Sequence, residues 1–120
     1  MYVVNQKDVT KKPLNTPLFT GTDVTIQQLI PDDVGEFDMS IVNFGKGVRN
    51  KFHMHENDQI LIVTAGTGYV ATEKEKCRVE VGDVVLFPAG EKHWHGATED
   101  SAFSHIYIRL KGSKTTQLEE

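Results

Sequence analysis

Cysteine is almost absent from this chain of 120 residues: Cys77 stands alone, which excludes an intrachain disulfide and a cysteine-rich metal site. A net charge of −4, with Lys and Arg scattered singly, leaves no basic stripe to meet nucleic acid or an anionic membrane. No apolar stretch is long enough to span a bilayer. The opening residues, with Lys7, Lys11 and Lys12 but no apolar block after them, lack the pattern of a secretory signal. Sustained helical periodicity is missing too, the polar tail Gly112 to Glu120 being the one stretch open to a helical reading. What remains is an ordinary apolar content of 38% in a length suited to one globular domain, expected in the cytoplasm.

The chain is a series of short β-type runs divided by turn residues. Candidate strands cover 24–29, 37–44, 59–64, 69–72, 77–81, 84–87 and 103–110. The punctuation is Pro31-Asp32-Asp33, Gly45-Lys46-Gly47, Gly66-Thr67-Gly68, Gly82-Asp83 and Pro88-Ala89-Gly90. Many short strands at such spacing predict an all-β sandwich or barrel. Residues 1–17, polar and containing Pro13 and Pro17, read as an N-terminal arm; residues 18–111 read as the barrel and 112–120 as a polar tail. Exposed strand edges need a partner, so a homodimer through an edge or the arm is expected.

All five histidines lie between positions 53 and 105. In an extended strand alternate side chains share a face, so His53 and His55 point one way and Phe52 and Met54 the other. After the turn Glu56-Asn57-Asp58, a returning strand sets Gln59 beside the pair. Neutral imidazoles converging on one point suit a divalent cation, which takes several lone pairs at roughly 2 Å. A further ligand must come from a distant strand, with His93 and His95 as candidates. In 103–110, His105, Tyr107 and Arg109 alternate with Ile106 and Ile108. The isoleucines are expected in the interface between sheets, which turns the polar three towards the lumen. Ser40, Val42 and Phe44 could line the same cavity, with Val42 and Phe44 also suited to core packing. An inward Arg109 needs an anion, supplied by Asp38 or by a substrate carboxylate. Trp94 is expected to face away from the metal, Arg49 and Lys51 to form a solvated rim, and Cys77 to be buried filler.

The spacing resembles the cupin superfamily. Gly47, five residues, His53-Met54-His55, three residues, Gln59, six residues and Gly66 follow its first motif, with Gln59 in place of the usual Glu. Gly82, five residues, Pro88-Ala89-Gly90, two residues and His93 follow its second, with Ala97 in place of the final Asn. The resemblance implies a conical jelly-roll barrel of two antiparallel sheets. A narrower likeness, carried by Leu18 to Thr22, Gln59 to Gly66 and Gly90 to Ala97, is to small bacterial cupins that act as manganese-dependent hydroxynitrile lyases. It implies the ligand set His53, His55, Gln59 and His93, with one divalent ion: Mn²⁺ first, Fe, Ni, Co or Zn as alternatives. It also implies catalytic roles for His95 and His105. Contacts from Ser40, Val42, Tyr107 and Arg109 to a small substrate are expected from the strand alternation instead, Tyr107 and Arg109 standing where those lyases carry smaller or neutral residues. The expected function is a metal-dependent lyase acting on a small oxygenated molecule. The alternatives are a mononuclear dioxygenase and a non-catalytic small-molecule-binding module.

Overall fold

The computed structural model describes residues 1–120, and nearly all of its regular structure is extended. A single 3-10 turn, Gln6–Asp8, precedes ten strands: β1 Lys12–Pro13, β2 Val24–Gln28, β3 Phe37–Phe44, β4 His53–His55, β5 Gln59–Thr72, β6 Lys76–Glu80, β7 Val84–Phe87, β8 His93–Ala97, β9 Phe103–Leu110 and β10 Thr115–Gln117. No helix is long and apolar enough to cross a membrane.

Every strand pairing is antiparallel. One sheet runs β1-β2-β3-β9-β5-β7 and the other runs β6-β5-β8-β4-β10, so β5 belongs to both. Its first half pairs with β9 and β7 and its second half with β8 and β6. The expected break at Gly66-Thr67-Gly68 is therefore a bend within one strand. The register slips between Val63 and Ala65, a bulge of the kind that turns strands at barrel corners. Gly66 follows with φ 69°, and a Cβ there would run into the Ala102 carbonyl oxygen. Only glycine fits that corner.

The polar tail and the stretch between the two motifs differ from expectation. The tail does not form a helix: Thr115–Gln117 pair in register with His55 to His53, closing the edge of β4. Polar residues sit comfortably there because an edge strand with one exposed face needs backbone partners more than apolar side chains. Cys77 is exposed, since β6 is itself an edge strand that buries only Val79.

Inward-facing residues from both sheets, including Val24, Phe44, Leu61, Val63, Phe87 and Phe103, form the main core. Ile106 and Ile108 lie elsewhere, packed with Leu29, Ile41, Met39 and Val9 of the arm on the outer face of the first sheet. In a closed barrel the space between the sheets is the lumen, so the faces of β9 divide between lumen and arm. His105, Tyr107 and Arg109 take the lumen side. The arm is pinned by the Gln27 amide, which donates to the carbonyls of Gln6 and Val9 at 3.3 and 2.9 Å.

Candidate metal centre

β4 and β8 are neighbours, and His53 stands directly opposite His93 in their register. The alternation within β4 puts His55 on the same inward face. The ring centroids of His53 lie 4.9 Å from His55 and 4.3 Å from His93, and those of His55 and His93 are 5.2 Å apart. One ring nitrogen from each lies within 4.8 Å of the others, and all three residues are buried. Phe87 stacks on His93 at 3.9 Å between centroids and 17° between planes, holding that ring from behind. Gln59, first residue of β5, brings Oε1 to 3.1 Å from His55 Nε2.

Hydrogen bonds set how these rings present themselves. His53 Nδ1 donates to the Lys51 carbonyl at 2.6 Å, and His93 Nδ1 donates to the Glu91 carbonyl at 2.8 Å. A carbonyl oxygen only accepts, so both protons belong on Nδ1 and both Nε2 atoms carry lone pairs. His93 Nε2 is buried without any hydrogen-bond partner. Buried polar atoms are ordinarily satisfied, and an unpartnered lone pair among other lone pairs is the arrangement a cation completes. Three imidazoles and an amide oxygen thus fit a divalent metal of the Mn-to-Zn series, without an anionic ligand.

The centre opens into a cavity of about 220 Å³ whose walls include His53, His55 and Gln59, with His95, His105, Asn50, Tyr107, Arg109 and Thr115. Leu14, Leu18, Phe19, Ile26, Val42 and Phe44 supply an apolar side. Val42 and His105 are cross-strand partners, as are Asp38 and Arg109. Residues 40–108 match the Cupin domain family, which covers both histidine motifs.

The chain is a cupin.

Relatives agree. An (R)-mandelonitrile lyase of Granulicella tundricola is 42% identical over 106 residues, covering 84% of this cupin and 79% of that protein. A cupin-like protein of Thermotoga maritima superposes with a TM-score of 0.83 at 32% identity, over 90% of this chain and 84% of that one. The polyketide cyclase RemF of Streptomyces resistomycificus shares the fold, with a TM-score of 0.87 at 17% identity over 100% of this chain and 87% of its own. Divalent-metal binding is a property of cupins, and the three buried histidines of this cupin are able to hold such an ion.

The remaining histidines differ in their attachments. The Asn50 side chain accepts the His95 backbone N–H at 2.8 Å, which fixes its amide and turns Nδ2 towards His95 Nε2 at 3.2 Å. That amide donates, so His95 Nε2 serves as the acceptor. His105 is wholly buried, at 0% exposure, and neither ring nitrogen has a partner. Its centroid lies 4.7 Å from that of His95. Burial pushes His105 down to about 4 and, with the nearby His105 charge as a further cause, holds His95 well below the ordinary imidazole range. Burial likewise lowers His53, takes His55 to about 4 and takes His93 to about 3, with repulsion from His53 adding to the last two.

Arg109 reaches an internal anion: its Nε donates to Asp38 at 3.0 Å, and Tyr107 donates to the other oxygen of that carboxylate at 3.0 Å. Burial raises the Tyr107 pKa, which keeps the phenol a donor. Val42, Tyr107 and Arg109 all line the metal cavity. Ser40, paired with Tyr107 across the strands, lines instead a larger hollow of about 700 Å³ beneath the N-terminal arm. Arg49 is more than a rim residue, for it stacks on Trp94 at 4.6 Å and pairs with Glu119 at 3.2 Å. Trp94 faces away from the two histidines that flank it. Asn50 and Thr115 escaped sequence reasoning: a lone Asn between strands and a Thr in a polar tail carry no periodic signal.

Proposed function

We propose that this cupin is a manganese-dependent lyase that splits a small cyanohydrin into an aldehyde and hydrogen cyanide. The carrying observation is that one small cavity is lined both by His53, His55 and Gln59, of the cluster that His93 completes, and by the unpartnered His105. The likeness to a protein named (R)-mandelonitrile lyase supports the choice of substrate class. Size supports it too: a cavity of about 150 Å³ admits benzene in a known case, and this one is about 220 Å³. Phe19, Val42 and Phe44 offer an apolar wall for an aryl or alkyl group.

His53, His55, Gln59 and His93 would hold the ion, and a divalent ion there would supply Lewis acidity towards the substrate's oxygen. The chain's own residues then manage one proton. Neutral His105 takes the hydroxyl proton, the oxygen's electrons form the C=O bond, and the C–CN pair leaves with cyanide. The imidazolium of His105 returns the proton to cyanide, which departs as HCN. His95, held by Asn50, orients the neighbouring ring. Barrel walls of Phe44 and Phe103 keep bulk water from His105.

The test is anaerobic incubation of the Mn²⁺-loaded protein with (R)-mandelonitrile, following benzaldehyde by absorbance. Release above the buffer rate, abolished by chelation, is expected. No release, together with oxygen consumption on adding a chelating substrate, would replace the lyase by the dioxygenase reading. No turnover of a ligand that raises the melting temperature would replace it by the binding module.

A further inference from the structure

Two of the three histidines in the cluster hand their outer Nδ1–H to a backbone carbonyl, and the third does not. His55 Nδ1 meets the hydroxyl of Thr115, at 2.9 Å, on β10. The Arg109 Nη1 donates to the same Thr115 oxygen at 3.2 Å and lies 3.5 Å from His55 Nδ1 itself. The other end of Arg109 is tied to Asp38. A chain of contacts thus runs from Asp38 through Arg109 and Thr115 to His55.

We propose that Thr115 is a positioning residue that sets the tautomer of His55 and thereby the affinity of the metal centre. The inference rests on the metal-cluster reading above. The argument is one of donors and acceptors. A ring nitrogen binds a cation through its lone pair, so His55 Nε2 must be unprotonated and Nδ1 must carry the proton. That proton needs an acceptor. Within reach of Nδ1 are the Thr115 hydroxyl, which accepts or donates, and the Arg109 guanidinium, which only donates. Without the hydroxyl, Arg109 is the sole neighbour, and a donor facing Nδ1 favours the tautomer with the proton on Nε2. Gln59 Oε1 at 3.1 Å accepts that proton and stabilises the unproductive form. The hydroxyl therefore stands between the ring and a cation that would misdirect it.

Backbone geometry places Thr115 for this role. It pairs with His55 in the β10–β4 register, and the same short strand sets Gln117 opposite His53. Downstream, the Glu119 carboxylate accepts the Phe52 N–H at 2.8 Å and pairs with Arg49, fastening the segment to the strand that bears the ligands.

The experiment is titration of the metal-stripped full chain with Mn²⁺, counting free Mn²⁺ by its EPR signal, for the parent, Thr115→Val and Thr115→Ser. Outer partners of metal-ligating histidines are worth about 10–100-fold in affinity. Thr115→Val is expected to weaken Mn²⁺ binding by about that factor, while Thr115→Ser stays within a few-fold of the parent. The melting temperature of each metal-stripped variant serves as the folding control, since Thr115 is exposed and off the core. Valine binding as tightly as the parent overturns the inference, as does an equal loss in the serine variant. A parent that binds no Mn²⁺ instead overturns the metal-cluster reading on which it rests.

Discussion

Replacing His105 with leucine is expected to lower cyanohydrin turnover by about 10²–10⁴-fold, the range typical of losing a positioned acid–base group. The same change should leave the melting temperature unchanged or raise it. The second half follows from packing. His105 is buried between Phe44 and Phe103, with ring centroids 5.6 Å from each, and satisfies neither of its nitrogens. A buried polar group without a partner costs about 1–3 kcal/mol, and an apolar side chain of similar volume removes that penalty. A residue retained for packing would show the opposite pattern, with stability falling and activity following it. Thermal melts and initial rates on one preparation, with Mn content checked in both proteins, separate the two. A stable variant with full turnover would remove His105 from the reaction.

Acid should unfold the metal-stripped protein steeply. Burial, joined by repulsion from His53 at the first two, holds His55 to about 4 and His93 to about 3; burial, partly opposed by the Ile106 backbone, brings His105 to about 4, against an ordinary 6.5. Between those values and 6.5 the unfolded chain binds protons that the folded one refuses. Stability therefore rises with pH through this window and is fully present above about 6.5. As pH falls it is lost, towards about 4 for His55 and His105 and about 3 for His93. Each histidine contributes a slope of up to about 1.4 kcal/mol per pH unit. Urea midpoints measured from pH 7.5 down to 4.5 should fall accordingly, and His105→Leu should show a shallower decline. A flat profile would mean that the rings are reached by water and charge freely in the folded state.

Much of this was legible in the residues. The alternation in Phe52-His53-Met54-His55 put two imidazoles on one face, and the structure finds them on β4 beside Gln59. The two spaced motifs gave the family and, through it, the jelly roll. Other features have no local signature. Gly66-Thr67-Gly68 reads as a turn because glycine is common to turns and bulges, and only the paired strands distinguish them. Thr115 sits in a polar run whose strand character comes from β4's open edge. Ser40 alternates with Val42 and so shares its face, yet cavities end where walls such as Tyr107 intervene. Arg109 left two anions open, and the three-dimensional register decided for Asp38, its direct cross-strand neighbour.

Elemental analysis of untagged protein, repeated on His53→Ala, tests the central claim most directly. The four-residue cluster predicts about one equivalent of divalent transition metal, manganese foremost, and its loss in the variant. Protein that takes up none of Mn²⁺, Fe²⁺, Co²⁺, Ni²⁺ or Zn²⁺ after reconstitution, or a His53→Ala variant that retains the full complement, would contradict it.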